Sequence, residues 1–500
     1  MKRSYLYILV FVFAANSIFA NTQTAFKLAN VLQSNMVVQQ GKPFKLWGKA
    51  VAGETVVMTV DWNRTAVAVK ADAGGNWTGQ INVPKAKPGD FTPHVITVKN
   101  GDKIVRLTDV LIGDVWLCAG QSNMDMIVTE ANFIGYPGVL NYKEEIAAAN
   151  FPAIRMYKAA AEFKIKPQDD TKGTWTICSP KTVGNFSGVA YFFGRELFLK
   201  LNIPIGLVVT SAPGASTQAF TKKEVLTADA ALKQRYYDPQ IANISSQDSV
   251  DKTGFFTNVT KPTLLYNGII HPLLNLSVKG ITYYQGESNS RDGGWDLYVS
   301  LFEKMLADWR NDFNQGDLPF YYTQIAPFRE PQEDSTAYVA AIFRETQERL
   351  LKLKNTGIAV TLDVGERKTV HPSDKRAVGE RLAKNALNKT YNVKGVQYLG
   401  PRFAKYTVNG NSIKISFAKE SLGTGLTTSD GKPPEHFYVA GADKKFYPAK
   451  AAIIGNDIVL TGFNVTEPVA VRYAFMNWND TNLQNKEGLP AMQFRTDNWE

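Results

Sequence analysis

Apolar and polar positions alternate over the first part of the chain, from residue 21 to about 105. Segments such as ETVVMTVDW, RTAVAVKADAGGNWTGQINV and HVITVKNGDKIVRLTDV carry this period of two, separated by Gly, Pro and Asn. Short strands at that spacing predict a small β-sandwich. The pattern changes at about 106. Apolar runs DVWLC, IGLVVT (205–210), ITYYQ (281–285), FYYTQI (320–325) and GIAVTLD (357–363) now alternate with the longer segments SGVAYFFGRELFLKL, LYVSLFEKMLADWRNDF and YVAAIFRETQERLLKLK. In the second of these, Leu297, Leu301, Met305, Leu306 and Trp309 recur at helical spacing. Strand, helix, strand over 106–395 predicts a doubly wound α/β domain with a mostly parallel sheet. Polar, weakly periodic residues 221–262 read as an insertion or lid. From 396 to 500 the chain returns to β character in NSIKISF, HFYVAG, AIIGNDIVL and EPVAVRYAF.

Composition adds little to that picture: 44% hydrophobic and 20% charged residues are an ordinary globular balance. Five hundred residues suffice for two to four domains at roughly 100–200 residues each, with a core that needs no metal or disulfide staple. The first twenty residues, MKRSYLYILVFVFAANSIFA, follow a different logic. Lys2 and Arg3 precede an apolar stretch from Tyr5 to Ala15, and Ala20 is a small residue at a cleavage position, as in a secretory signal. The expected location is therefore periplasmic or extracellular, with no membrane span in the mature chain. The net charge of +10 is scattered without basic runs, so nucleic acid is not an expected partner. Cys118 and Cys178 allow either one disulfide or two buried thiols, and no Cys/His metal spacing occurs.

The candidate chemistry sits where ligands of doubly wound folds bind, beyond the carboxyl ends of strands. Ser122, in WLCAGQSNMDM, follows the first such strand. A serine nucleophile needs a base and donors for the developing oxyanion. Of the four histidines, His94 and His436 lie in the flanking β-regions and His271 in an apolar segment. His371, in VHPSDKRAVGERLAKNAL, follows the strand GIAVTLD, and Pro372 suits the first position of a helix. A helix-capping histidine would occupy the same place. A third polar turn, YYQGESNS, follows the strand ITYY and offers Gln285, Glu287 and Asn289 around Gly286. Met124 stands where the G-x-S-x-G elbow requires its second glycine, so the build is a different one.

GQSNM, YYQGESN and V-H-P-S-D-K…V-G-E-R-L-A, in that order, resemble the three blocks of secreted sialate O-acetylesterases, which are SGNH (GDSL-like) hydrolases. NMVVQQGKPFKLWGKA and VAVRYAFMNWNDTNLQNKEGLPAMQFRTD are similar to that family's two ends. The resemblance implies Ser122 as nucleophile, His371 as base, and an oxyanion hole from the Ser122 and Gly214 N–H groups with the Gln285 side chain. Asn289 is an alternative donor. Glu287 would tie loops together or touch substrate. The family's usual Asp before the histidine is replaced by Lys368 and Thr369. Asp363, Glu366 and Asp374 are the nearby carboxylates, with Asp363 the first choice as acid partner, and a backbone carbonyl is the other option. The implied activity is hydrolysis of O-acetyl esters of sialic acid through an acetyl-serine, without metal or organic cofactor. Arg291 and Arg344 are candidates to bind a sialate carboxylate, because guanidinium pairs well with it. Another acetylated glycan such as xylan is the alternative substrate, and a glycan-binding protein with a decayed esterase centre is the alternative class.

Overall fold

The run ending in DVWLCAG forms a single long strand, β1 (Lys103–Gly120). Its first half pairs antiparallel with His94–Asn100 and parallel with Val37–Gln39; its second half enters the central sheet. Asp109 adopts φ 53° where these halves meet. The side chain of Arg155 secures that bend by pairing with the Asp109 carboxylate at 2.9 Å. The computed structural model describes residues 26–132, 135–291, 293–328 and 338–499. The expected signal segment lies outside them.

The remaining strands of the central sheet are β2 (Phe151–Ala159), β3 (Gly173–Cys178), β4 (Ile205–Ser211), β5 (Gly280–Tyr284), β6 (Phe320–Thr323) and β7 (Thr356–Ala359). Their order is β3-β2-β4-β1-β5-β6-β7. Every pairing is parallel except β3 with β2. All strand residues of β4, β5, β6 and β7 are buried, as a parallel sheet covered on both faces requires. The pleat then sorts neighbours to opposite faces. Trp116, Cys118, Tyr284 and Tyr321 join one core with Val189, Phe193, Val378 and Leu382. Leu117, Ala119, Tyr283 and Tyr322 join the other with Phe302, Met305, Trp309 and Phe343. This is the doubly wound arrangement the apolar runs predict.

Helices cover both faces: α1 (Ser122–Asp125), α2 (Gly188–Leu201), α3 (Phe255–Asn258), α4 (Glu287–Ser290), α5 (Trp295–Phe313), α6 (Val339–Arg349) and α7 (Lys375–Lys389) are those that matter for the site. The helix expected to begin at Pro372 begins at Lys375 instead. Asp374 caps it, its carboxylate accepting from Ala377 N at 3.0 Å, so the His371 segment is a loop. Beyond 400 the chain forms two four-stranded antiparallel sheets and a two-stranded one. Among the described residues no helix is long and apolar enough to cross a membrane.

Candidate active site

Strand β1 ends at Gly120, flanked by the ends of β4 and β5. Gly120 has φ 148°, and a Cβ there would stand 2.1 Å from the Tyr284 carbonyl oxygen. Only glycine lets the chain turn away so close to its neighbour. Gln121 N donates to Tyr284 O at 2.9 Å, and Ser122 then opens the short helix α1. Across the gap, Gly214 follows β4 with φ 82°. Among the described residues, the Ser122 and Gly214 N–H groups donate to no other protein atom.

Ser122, Gly214 and His371 line one cavity of about 840 Å³. Its walls divide by chemistry. Ala159, Ala160, Pro213, Phe255 and Phe256 make an apolar side. Both phenylalanines come from α3, so the 221–262 insertion does supply part of the rim. Asp125, Lys158 and Lys172 give the charged side. The Asp125 carboxylate accepts from Ser211 Oγ at 2.8 Å and Tyr136 OH at 3.3 Å, and pairs with Lys158 Nζ at 2.9 Å.

His371 Nδ1 lies 3.2 Å from the carbonyl oxygen of Gly135. A carbonyl only accepts, so Nδ1 carries the proton and Nε2 keeps its lone pair. The Tyr136 ring meets the imidazole edge-on at 5.1 Å between centroids. Burial, reinforced by the Lys375 charge, pushes the imidazole down to about 4, so it is neutral at ordinary pH.

Asp363, expected as the acid partner, is engaged by another residue. Both its oxygens are held by Arg381, at 2.7 and 2.6 Å, a bidentate pair that leaves the carboxylate committed to α7. Glu366 Oε1 accepts from Ser373 N at 2.6 Å, and Asp374 caps α7. Among the described residues the Gly135 carbonyl is the partner that His371 Nδ1 meets.

Gln285 also departs from expectation. It is buried, with Nε2 donating to Ala215 O at 3.2 Å and Asn289 Oδ1 at 2.7 Å. Both amide hydrogens are thereby used, and the side chain does not line the cavity. Asn289 is likewise buried; its Oδ1 accepts from Thr217 N at 2.9 Å, and its Nδ2 donates to Gln218 Oε1 at 3.0 Å. These two amides bind the β5 turn to the chain after Gly214 instead of facing substrate. Glu287 accepts from Asn123 Nδ2, which ties the second block to the first, and burial pushes its carboxyl up.

Neither expected arginine reaches the cavity. Arg291 is exposed beyond α4. Arg344 is fully buried, donating to Gln493 Oε1 at 2.7 Å, Asn477 O at 3.3 Å and Met476 O. Burial lowers its guanidinium to about 9. Its work is to bind α6 to the C-terminal β-region. Cys118 and Cys178 are free and buried, pushed up to about 12, and so inert. No His/Cys/Asp/Glu group suited to a metal occurs among the described residues.

The sequence reading did not single out Lys158, Asp125, Asn123 or Lys375. Asn123 and Asp125 stand inside the quoted nucleophile block and Lys375 inside the histidine block. Lys158 lies in a strand, β2, that the sequence reading did not predict.

Residues 112–388 match the model of the family described as carbohydrate esterase, sialic acid-specific acetylesterase. The mouse sialate O-acetylesterase is 26% identical over 502 residues, covering 91% of this chain and 90% of its own. The human sialate O-acetylesterase is 28% identical over 406 residues, covering 75% and 73%. The crystal structure of a carbohydrate acetylesterase from Xanthomonas citri superposes with a TM-score of 0.81 at 32% identity, covering 95% of this chain and all of that one. The chain belongs to the sialic acid-specific acetylesterase family of carbohydrate esterases, an SGNH-type family of carboxylic ester hydrolases.

Proposed function

We propose that this enzyme removes acetyl groups from the hydroxyls of sialic acid. The observation that carries the reading is the convergence of Ser122, Gly214 and His371 on one cavity whose wall also bears Lys158 and Lys172. Ser122 Oγ attacks the acetyl carbonyl while His371 Nε2 takes its proton. The Ser122 and Gly214 N–H groups hold the tetrahedral oxyanion. Collapse breaks the ester bond, and His371 returns the proton to the departing sugar oxygen. A water, deprotonated by His371, then attacks the acetyl-serine and releases acetate. Among the described residues the base is oriented by a carbonyl, the arrangement of a dyad.

Lys158 is the group best suited to the sialate carboxylate. An ammonium has three donors, one of which goes to Asp125, and its side chain is 34% exposed at the cavity wall. The apolar rim of Phe255 and Phe256 favours a second reading, a neutral acetylated glycan such as xylan. Acetate release from O-acetylated sialoglycan and from acetyl xylan separates the two. Preference for sialoglycan, with KM raised by Lys158→Ala on it but not on a neutral ester, supports sialate. Preference for xylan leaves the chemistry intact and removes the substrate.

The basic, apolar, small-residue order of the first twenty residues supports cleavage after about residue 20 and export to the periplasm or beyond. The regions 21–105 and 396–500 are read as domains bracing the catalytic unit at 106–395. The grip of Arg344 on Met476, Asn477 and Gln493 supports that role.

A further inference from the structure

Among the described residues no carboxylate meets His371, yet its loop is fastened to the Ser122 turn on both sides of it. Asn123, the residue after Ser122, is fully buried. Its Nδ2 donates to Val370 O at 3.0 Å and to Glu287 Oε1. Its Oδ1 accepts from Lys375 Nζ at 2.7 Å, and the same ammonium donates to Pro372 O at 2.5 Å. The carbonyls before and after His371 are thus both captured by a unit rooted beside Ser122. His371 N completes the fastening by donating to Thr369 Oγ1 at 3.0 Å.

We propose that Asn123, Lys375 and Glu287 are a positioning unit that sets the His371 imidazole against the Ser122 hydroxyl, taking over the orienting role of the absent aspartate. The inference rests on His371 being the base. Its support is the cost of the arrangement. Lys375 has no exposed surface, and a buried ammonium is retained only when its donors are satisfied and charges of opposite sign surround it. Glu287 on α4, Glu366 in the loop before His371 and Asp374 on its own segment offset part of the burial cost, which still lowers the ammonium to about 7, so Lys375 carries its charge below neutrality. Asn123 uses both faces of its amide, and no apolar residue could span the same three partners. A positive charge at Lys375 also opposes protonation of His371, which keeps the base available in acid.

Lys375→Met keeps the length and removes the ammonium. With a small neutral acetyl ester as substrate, kcat should fall roughly tenfold while KM stays within about twofold. The acid limb of kcat/KM should move to higher pH. Lys375→Arg retains the charge, so its acid limb should stay near that of the parent even though kcat falls. Should Lys375→Met not fold, Asn123→Asp provides the second arm. It keeps the volume and the Lys375 contact but replaces the donor to Val370 O with an acceptor, and kcat should again fall with KM nearly unchanged. His371→Ala is measured beside them. If His371→Ala retains activity, the assignment of the base fails. If His371→Ala is inactive but the folded Lys375 and Asn123 variants keep kcat and the acid limb of the parent, the positioning unit is overturned. A fall in kcat without movement of the Lys375→Met acid limb also overturns it, leaving a structural lysine.

Discussion

Two polar turns leave the ends of neighbouring strands, and they do opposite things. The turn after β1 and the turn after β5 begin at paired residues, Gly120 and Tyr284. The first presents Ser122 to the cavity. The second folds inward, so Gln285 and Asn289 spend their amides on Ala215, Thr217 and Gln218. The two are joined by Gln121, whose Oε1 accepts from Gly286 N at 3.2 Å and Ser288 N at 3.3 Å. A polar motif at a strand end is therefore not yet a reactive one. Buried amides must find partners inside the protein, and where they do they hold the walls while a less encumbered side chain meets substrate.

That contrast predicts graded losses. His371→Ala removes the proposed base and should lower kcat/KM by at least about a thousandfold, measured on a neutral acetyl ester. Next comes Gly214→Ala. With φ 82°, and a Cβ that would sit 3.3 Å from Val259 Cγ1, the turn must shift its N–H. A loss of about ten- to a hundredfold in kcat is expected, less than a whole oxyanion donor supplies. Gln285→Leu should act on folding. It strands the polar groups of Ala215, Thr217 and Asn289, so the melting temperature falls by several degrees while kcat per folded molecule stays within about tenfold. A loss of kcat without a loss of stability would return Gln285 to the oxyanion hole. Asp363→Asn should have the smallest kinetic effect, because its partner is Arg381. Activity within about threefold of the parent is expected, with modest destabilisation.

The pH profile sharpens the same comparison. The imidazole is held near about 4 in the folded protein against 6.5 when unperturbed. With His371 as the proposed base, the acid limb of kcat/KM should lie near pH 4 to 5. The folded value is the lower one, so the unfolded chain binds the proton first. Stability linked to His371 is complete above 6.5 and declines as pH falls towards about 4. Denaturant melts across that range check the sign.

Much of the central fold was legible because parallel strands buried on both faces read as unbroken apolar runs. The helix expected from LYVSLFEKMLADWRNDF spans Trp295–Phe313, with Met305, Leu306 and Trp309 in the core of the sheet and Leu301 against the 221–262 insertion. The edge pair β2 and β3 escaped notice. In β2 the buried Arg155 interrupts the run, and its charge is met by Asp109, remote in sequence. That omission hid Lys158, a cation at the cavity wall. Ser122, Gly214 and His371 were readable from their motifs and strand ends. The outward or inward aim of Gln285, Asn289 and Arg344 was not, since it depends on partners that only the fold assembles.

The most direct test of the account is to quench turnover of an acetyl ester within milliseconds and weigh the protein and its peptides. Parent enzyme should carry an added acetyl group on the peptide containing Ser122, and Ser122→Ala should carry none and release no acetate. Acetate release by Ser122→Ala at the parental rate, or an acetyl group trapped on another residue, would contradict it.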